Sequence, residues 1–94
     1  MGQVVLISGG TSGIGKRSAE LFAAGGYQVA ILGRDEIKGQ QVAESLQQAY
    51  PQTQILYIQG DVSKVEDCAK AVAQTVQWGG SLDVLINSAG RYFE

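Results

Sequence analysis

The sequence predicts an α/β fold in which helices cover both faces of a doubly wound parallel sheet of four strands. Three observations predict it. Short apolar runs alternate with longer amphipathic segments along the chain. These runs are apolar on consecutive positions, which is typical of strands covered on both faces. Glycine or proline follows each amphipathic segment, where helices end. Because crossovers between parallel strands are right-handed, we expect the strand order 3-2-1-4.

The predicted strands are rich in β-branched residues and occupy residues 4–7, 29–32, 55–58 and 84–86. Three predicted helices lie between them, each with an apolar stripe at helical spacing. Gly25-Gly26, Pro51 and Gly79-Gly80 end these helices, and the third is predicted to open with a capping box at residues 63–66. The stripes are Ile14, Ser18, Leu21, Phe22 and Gly25, then Val42, Leu46, Ala49 and Tyr50, then Val65, Ala69, Val72, Ala73 and Val76.

Composition and charge exclude several classes of protein. An apolar share of 45% with 17% charged residues is that of a globular chain, although 13 glycines are about twice the usual number. Nine acidic and seven basic residues give a net charge of −2, and the basic residues are scattered between Lys16 and Arg91, so no basic face for nucleic acid is predicted. There is no histidine and one cysteine, which excludes a Cys/His metal site and an internal disulfide. No apolar run is long enough for a membrane span, and we expect a cytoplasmic protein without a signal peptide.

The turn after the first strand, residues 8–15, reads Ser-Gly-Gly-Thr-Ser-Gly-Ile-Gly. Ligands of doubly wound sheets bind at the carboxyl ends of the strands. The spacing G-x-G-x-x-G does not occur, but Gly9, Gly13 and Gly15 still allow a tight turn, a close approach to a pyrophosphate and close helix packing. A helix that begins near Gly13 directs free N–H groups at an anion. The turn therefore predicts a phosphate-ligand site, with tight packing alone as the structural alternative.

A second interpretation of the same residues is a nucleoside-triphosphate loop. Residues 10–16 have the spacing G-x-x-x-x-G-K, and Asp61 could serve as an acid on the magnesium side. That loop needs Ser or Thr directly after its lysine to hold Mg²⁺. Here Arg17 follows Lys16, and Ser18 stands one position later. The sequence therefore favours a dinucleotide over a triphosphate.

Three motifs, in order, resemble the short-chain dehydrogenase/reductase family over nearly the whole chain. Residues 8–15 resemble its T-G-x-x-x-G-I-G turn, with Ser8 in place of Thr, and Asp61-Val62 resembles its Asp-Val after the third strand. Residues 87–90, Asn-Ser-Ala-Gly, resemble its N-N-A-G after the fourth strand. The resemblance implies a Rossmann-type fold and an oxidoreductase that moves a hydride between a nicotinamide coenzyme and a carbonyl or alcohol substrate. It also implies that the full-length protein is a homo-oligomer.

The resemblance also implies a role for each matching residue. Asp61 has an ordinary alternative as a loop acid, and Asn87 has one as a tie between neighbouring strand ends. The implied contacts are Gly9, Gly13, Ile14 and Gly15 with the pyrophosphate, Asp61 and Val62 with adenine, and Asn87, Ala89 and Gly90 with the nicotinamide ribose.

Arg34 makes NADP(H) the favoured coenzyme, with NAD(H) as the alternative. In the family, the Asp that selects NAD aligns with Gly33, so Arg34 is placed to pair with a 2′-phosphate. If the alignment shifts by two residues, Asp35 becomes the acid that binds the ribose 2′-hydroxyl of NAD. We prefer Asp35 as the N-cap of the second helix. Thr11 and Ser12 add hydroxyl donors beside the same pocket.

The family's catalytic pair, a tyrosine with a lysine four residues later, does not occur in this chain. Tyr27, Tyr50 and Tyr57 are followed at that spacing by Ile31, Gln54 and Asp61. We therefore expect residues 1–94 to be a single NAD(P)-binding unit, truncated from a longer domain, that is inactive alone. The last predicted strand has no Lys or Pro that would protect it as an exposed edge of the sheet. This also favours a truncated domain. A dinucleotide-binding module without catalysis is the alternative of a different class.

Overall fold

The computed structural model describes residues 2–9 and 13–87. In this part of the chain, strands and helices alternate in the predicted order, and each predicted strand is present with ends that differ by one residue or less. The elements are β1 (Val4–Ser8), α1 (Gly13–Ala24), β2 (Gln28–Gly33), α2 (Glu36–Ala49), β3 (Ile55–Gln59), α3 (Val65–Gly79) and β4 (Val84–Asn87).

The strands form one parallel sheet in the order β3-β2-β1-β4, which confirms the predicted topology. Ser8 at the end of β1 pairs in register with Leu32 of β2 and with Asn87 of β4. Because all strands run the same way, their carboxyl ends share one edge. The chain winds from β1 towards β3 and then returns to the other side of β1. The topological switch point therefore lies at the carboxyl ends of β1 and β4, where ligands of such sheets bind.

Two apolar clusters, one on each face of the sheet, form the core. The larger lies under α1 and α2, and the smaller lies under α3. Alternate residues of β1 divide between them, since Val5 and Ile7 belong to the first cluster and Leu6 to the second. Of the helices described here, none is both long and apolar enough to cross a membrane.

The apolar stripe predicted for α1 is right for Phe22, which packs against the larger cluster, and wrong for Ile14 and Leu21. Ile14 and Leu21 are 78% and 63% exposed, whereas Gly15, Ala19 and Ala23 are buried. The small residues allow the helix backbone to approach the sheet closely, and this matters more than the size of the apolar side chain. Hydrophobicity alone therefore assigned Ile14 and Leu21 to the buried face, although both lie on the exposed side of the helix.

The stripe predicted for α3 is right for Val72, which packs against the smaller cluster, and wrong for Val65 and Val76 for a related reason. Val65 is 82% and Val76 is 41% exposed, whereas Ala71 and Thr75 are fully buried. Thr75 donates its hydroxyl to the carbonyl of Ala71 at 2.7 Å, so its polar group is satisfied without water. At the end of the helix, a Cβ on Gly79 would lie 2.8 Å from Val4 Cγ2, so α3 lies close against β1.

The capping box predicted for α3 does not form. Lys64 is the N-cap, and it makes no side-chain capping bond. Ser63 instead donates its hydroxyl to Asp61 Oδ1 at 2.7 Å. The reason is local, because a Ser two residues after an Asp can close a turn with that carboxylate before the helix starts.

Candidate functional site

The described residues predicted to bind a coenzyme lie at the carboxyl edge of the sheet. Gly9 follows β1, Arg34 follows β2, Asp61 lies just beyond β3, and Asn87 ends β4. The sequence also predicts four residues at this site that lie outside the described ranges, namely Thr11, Ser12, Ala89 and Gly90.

Two glycines give the turn between β1 and α1 its conformation. Gly9 has a φ of 78° and Gly13 a φ of 57°, in the left-handed region that side chains disfavour. The Gly9 N–H donates to the carbonyl of Leu32 at 2.8 Å, which ties the turn to the end of β2. Gly15 is buried where α1 meets the sheet. These glycines therefore meet the conformational and packing requirements that the sequence predicted for them.

The beginning of α1 suits an anion. The first N–H groups of a helix have no carbonyl acceptors within it, and they carry the positive end of the helix dipole. The first turn of α1 contains no acidic residue that would repel a negative ligand. Apart from its chain neighbours and the backbone of its own helix, no described atom lies within 4 Å of the position that a Cβ on Gly13 would take. The charge and the described surroundings of the helix start therefore favour an anion.

A cavity of about 360 Å³ brings together two candidates from different parts of the sequence, Arg34 and Asp61. Its volume lies within the range of small-molecule sites. Gln59 donates its side-chain amide to the carbonyl of Arg34 at 3.4 Å, which links the ends of β2 and β3. The complete lining is Arg34, Gln59, Gly60, Asp61 and Asp67.

Asp35 is the cap of α2, as predicted. Its Oδ1 accepts the N–H of Lys38 at 3.1 Å, and its own backbone is extended. The contact binds the carboxylate to the start of the helix rather than to the cavity lined by Arg34.

Asp61 is held in a turn of its own. Its Oδ1 accepts the N–H of Ser63 at 2.9 Å as well as the Ser63 hydroxyl. These two hydrogen bonds, followed by the nearby charges of Arg34 and Lys64, lower the pKa of Asp61 below its ordinary value. The carboxylate is therefore charged and oriented at the edge of the cavity.

The triphosphate interpretation uses Asp61 as an acid on the magnesium side of the loop. Among residues 2–9 and 13–87, no three His, Cys, Asp or Glu side chains come together as metal ligands would. Gly10, which begins the G-x-x-x-x-G-K spacing, lies outside those residues, so the triphosphate loop stays the less favoured alternative.

A side-chain hydrogen bond crosses the switch point. Ser8 donates its hydroxyl to Asn87 Oδ1 at 3.0 Å, joining the ends of β1 and β4. Asn87 thus forms the predicted tie between strands, while it remains exposed at the edge. A mainly apolar cavity of about 100 Å³ lies beside this bond, lined by Leu6, Ser8, Leu32, Cys68, Val72, Leu85 and Asn87. Val62 is half-buried and packs against the cluster under α3.

Sequence reasoning missed two residues that shape the edge. Tyr57 donates its hydroxyl to the carbonyl of Gly33 at 2.7 Å, directly before Arg34. Asp67 accepts the N–H of Asp61 at 2.8 Å. An acid in the first turn of a predicted helix was a usable signal for Asp67. Tyr57 gave none, because an aromatic residue in a strand is ordinary.

The sequence of this chain is similar to the sequences of known dehydrogenases and oxidoreductases. The family model described as short chain dehydrogenase matches residues 3–93. An 11-beta-hydroxysteroid dehydrogenase-like protein of Arabidopsis thaliana is 43% identical over 89 residues, which cover 95% of this chain and 29% of the relative. An uncharacterized oxidoreductase of Thermotoga maritima is 42% identical over 89 residues, which cover 95% of this chain and 34% of that protein.

Solved structures agree with the fold. L-sorbose reductase of Gluconobacter frateurii, solved in complex with NADPH and L-sorbose, superposes with a TM-score of 0.90 at 31% identity. The match covers 96% of this chain and 34% of the reductase chain. The chain therefore spans about a third of the length of these relatives.

Proposed function

Because the chain belongs to the short-chain dehydrogenase family, we propose that it binds a nicotinamide dinucleotide along the carboxyl edge of its sheet, as the coenzyme-binding part of an oxidoreductase. One observation carries the proposal. The glycine turn at the start of α1, the cavity with Arg34 and Asp61, and the Ser8–Asn87 bond at the switch point lie along the same edge. These three features suit an extended ligand that has phosphates at its centre and a nucleoside at each end.

The residues present fit such a coenzyme. Two observations support pyrophosphate binding at this turn: Gly9 and Gly13 have positive φ, and the first turn of α1 contains no acid. In the proposal, Gly9, Gly13, Ile14 and Gly15 hold the pyrophosphate, Thr11 and Ser12 add hydroxyl donors beside the Arg34 pocket, Asp61 and Val62 meet the adenine, and Asn87, Ala89 and Gly90 flank the nicotinamide ribose.

NADP(H) is the proposed coenzyme. Arg34 lines the cavity at the end of β2, where its guanidinium can pair with a 2′-phosphate through two parallel hydrogen bonds. Asp35, the competing ribose acid, already accepts the N–H of Lys38. L-sorbose reductase, which matches this chain at 31% identity, was solved with NADPH, and this supports the same choice.

In the proposed reaction, the bound nicotinamide exchanges a hydride with a carbonyl or alcohol carbon of a small substrate. The residues of this chain bind and orient the coenzyme for that step. We further propose that the full-length protein is a cytoplasmic homo-oligomer. A dinucleotide-binding module without catalysis is the alternative outcome.

Titration with NADPH, NADH and ATP–Mg²⁺ tests the proposal, with the change in protein or nicotinamide fluorescence as the readout. We expect NADPH to bind more tightly than NADH, and ATP–Mg²⁺ to bind weakly. Binding of ATP–Mg²⁺ alone would establish the triphosphate loop instead. Failure of all three ligands to bind would remove both interpretations.

A further inference from the structure

The turn between β3 and α3 is held by a carboxylate from the helix. Asp67 lies in the first turn of α3, and its Oδ2 accepts the N–H of Asp61 at 2.8 Å. Gly60 makes this approach feasible. A Cβ at that position would lie 3.4 Å from Asp67 Cβ and 3.0 Å from Leu32 Cδ1. Asp67 and the end of β2 therefore enclose the main chain of the turn.

Asp61 transmits this constraint to the rest of the turn. Its carboxylate accepts the N–H and the hydroxyl of Ser63, and its carbonyl accepts the N–H of Lys64 at 2.9 Å. Three hydrogen-bonding groups of one residue are thus engaged at once. A shift of the Asp61 amide would also shift its carboxylate and the start of α3.

Asp61, Asp67 and Arg34 line the same cavity. We infer that Asp67 is a positioning residue for the nucleoside end of the coenzyme site, and this inference rests on the proposed function. Asp67 acts through Asp61, because it accepts the main-chain N–H and thereby sets where the Asp61 carboxylate stands. At this turn the family resemblance rests on Asp61 and Val62, and Asp67 lies outside that motif.

A purely helical role for Asp67 predicts different behaviour. An acid in the first turn stabilises any helix through the dipole, and Glu66 has that position as well. Glu66 is exposed and is not among the residues that line the cavity. Glu66→Ala is therefore the matched control for loss of an acid from the same helix turn.

The test measures binding of adenosine 2′,5′-bisphosphate by calorimetry, together with hydrogen exchange of the Asp61 amide by NMR. Asp67→Ala removes the acceptor, and we expect at least about a tenfold loss of affinity and faster exchange. Asp67→Asn keeps an oxygen acceptor, so binding should return to within about threefold of the original chain. Glu66→Ala should leave both the affinity and the exchange of Asp61 unchanged.

A further control separates position from stability. Thr53 is buried before β3, at the opposite edge of the sheet, and donates its hydroxyl to the carbonyl of Tyr27. Thr53→Ala should lower the free energy of unfolding without changing affinity for the bisphosphate. If Asp67→Ala binds as tightly as the original chain, the inference is overturned while the proposed function stands. If the original chain itself does not bind, the proposed function fails, and the inference fails with it.

Discussion

Arg34 is the first residue after β2, and it shares a cavity with Asp61. A hydrogen bond to a charged group contributes about 1.5–3 kcal/mol, so an Arg–phosphate pair changes affinity by about 10- to 100-fold. Arg34→Asp removes that pair and adds a charge that repels the 2′-phosphate. We expect the ratio of NADPH to NADH affinity to fall by at least about tenfold, measured by titration with both coenzymes.

Lys38→Asp is the matched control for this substitution. It makes the same change of charge on an exposed residue of α2 that does not line the cavity. The control should leave the coenzyme ratio unchanged. An unchanged ratio in Arg34→Asp would mean that the residue choosing between the coenzymes lies elsewhere.

The turn at Asp61 gives a prediction about pH. Hydrogen bonds from Ser63 are the main reason that the pKa of Asp61 is lowered. A carboxyl group whose pKa is lower in the folded state stabilises the fold above its unfolded pKa, and this contribution is lost as the pH falls through the folded pKa. Ser63→Ala removes the hydroxyl donor, so we expect the pKa of Asp61 to rise towards its ordinary value. NMR titration of the carboxyl carbon measures it.

Ser45→Ala, an exposed change on α2, controls for general effects on that titration. The pKa of Asp61 should stay low in the control. If Ser63→Ala also leaves the pKa of Asp61 unchanged, the turn is not maintained by this bond in solution.

Strand positions and helix faces differed in how far the sequence could predict them. The strands were predictable because consecutive apolar residues are buried on both sides of a parallel sheet. The faces of α1 and α3 were only partly predictable: Phe22 and Val72 pack against the core as expected, but the fully buried residues include Ala19, Ala71 and Thr75. Apolar periodicity gives weight to large side chains, whereas close packing of a helix on a sheet depends on small ones.

The packing of α2 on β3 depends on one glycine. A Cβ on Gly39 would lie 2.1 Å from Tyr57 Cε1, far closer than van der Waals contact allows. Alanine favours a helix by about 1 kcal/mol over glycine. Overpacking costs about 1–3 kcal/mol, so the clash should outweigh the gain in propensity. We expect Gly39→Ala to lower the free energy of unfolding, measured by urea denaturation.

Two further variants locate the cause of that loss. Gly25→Ala places its Cβ 3.5 Å from the nearest backbone atoms, an ordinary contact, and should not destabilise the chain in this way. In a Tyr57→Leu background, Gly39→Ala should no longer be destabilising, because the ring is gone. Equal losses in both backgrounds would show that the ring is not the obstacle.

The candidate site was predictable where motifs mark the main chain. The order of motifs located Gly9 and Gly13 in the turn after the first predicted strand, because such a turn needs glycine. It located Asp61 after the third predicted strand, where the Asp-Val pair stands. The contacts of Tyr57 with Gly33 and of Asp67 with Asp61 depend on how strands and helices stack. Such contacts join residues with no fixed spacing, so local sequence patterns do not reveal them.

The two outer strands of the sheet, β3 and β4, are covered to different extents. Tyr57 and its neighbours in β3 pack beside α2, whereas in β4 Leu85 is 57% exposed on the face that carries α3. Of the described elements, only β1 pairs with β4. The switch point that the proposal uses therefore lies beside the less covered side of the sheet.

The last prediction concerns turnover by these 94 residues. A tyrosine that acts as a proton donor near neutral pH needs its pKa lowered by a neighbouring cation. Tyr57 has the opposite environment, because burial and then the charges of Glu36 and Asp35 raise its pKa. Tyr27, Tyr50 and Tyr57 are followed four residues later by Ile31, Gln54 and Asp61 rather than by lysine. We therefore expect the chain to bind NADPH without oxidising it in the presence of small ketones or aldehydes, followed by absorbance at the nicotinamide band. Turnover that persists through a second purification and disappears in Arg34→Asp would contradict this expectation and assign the proton transfer to another group of the chain.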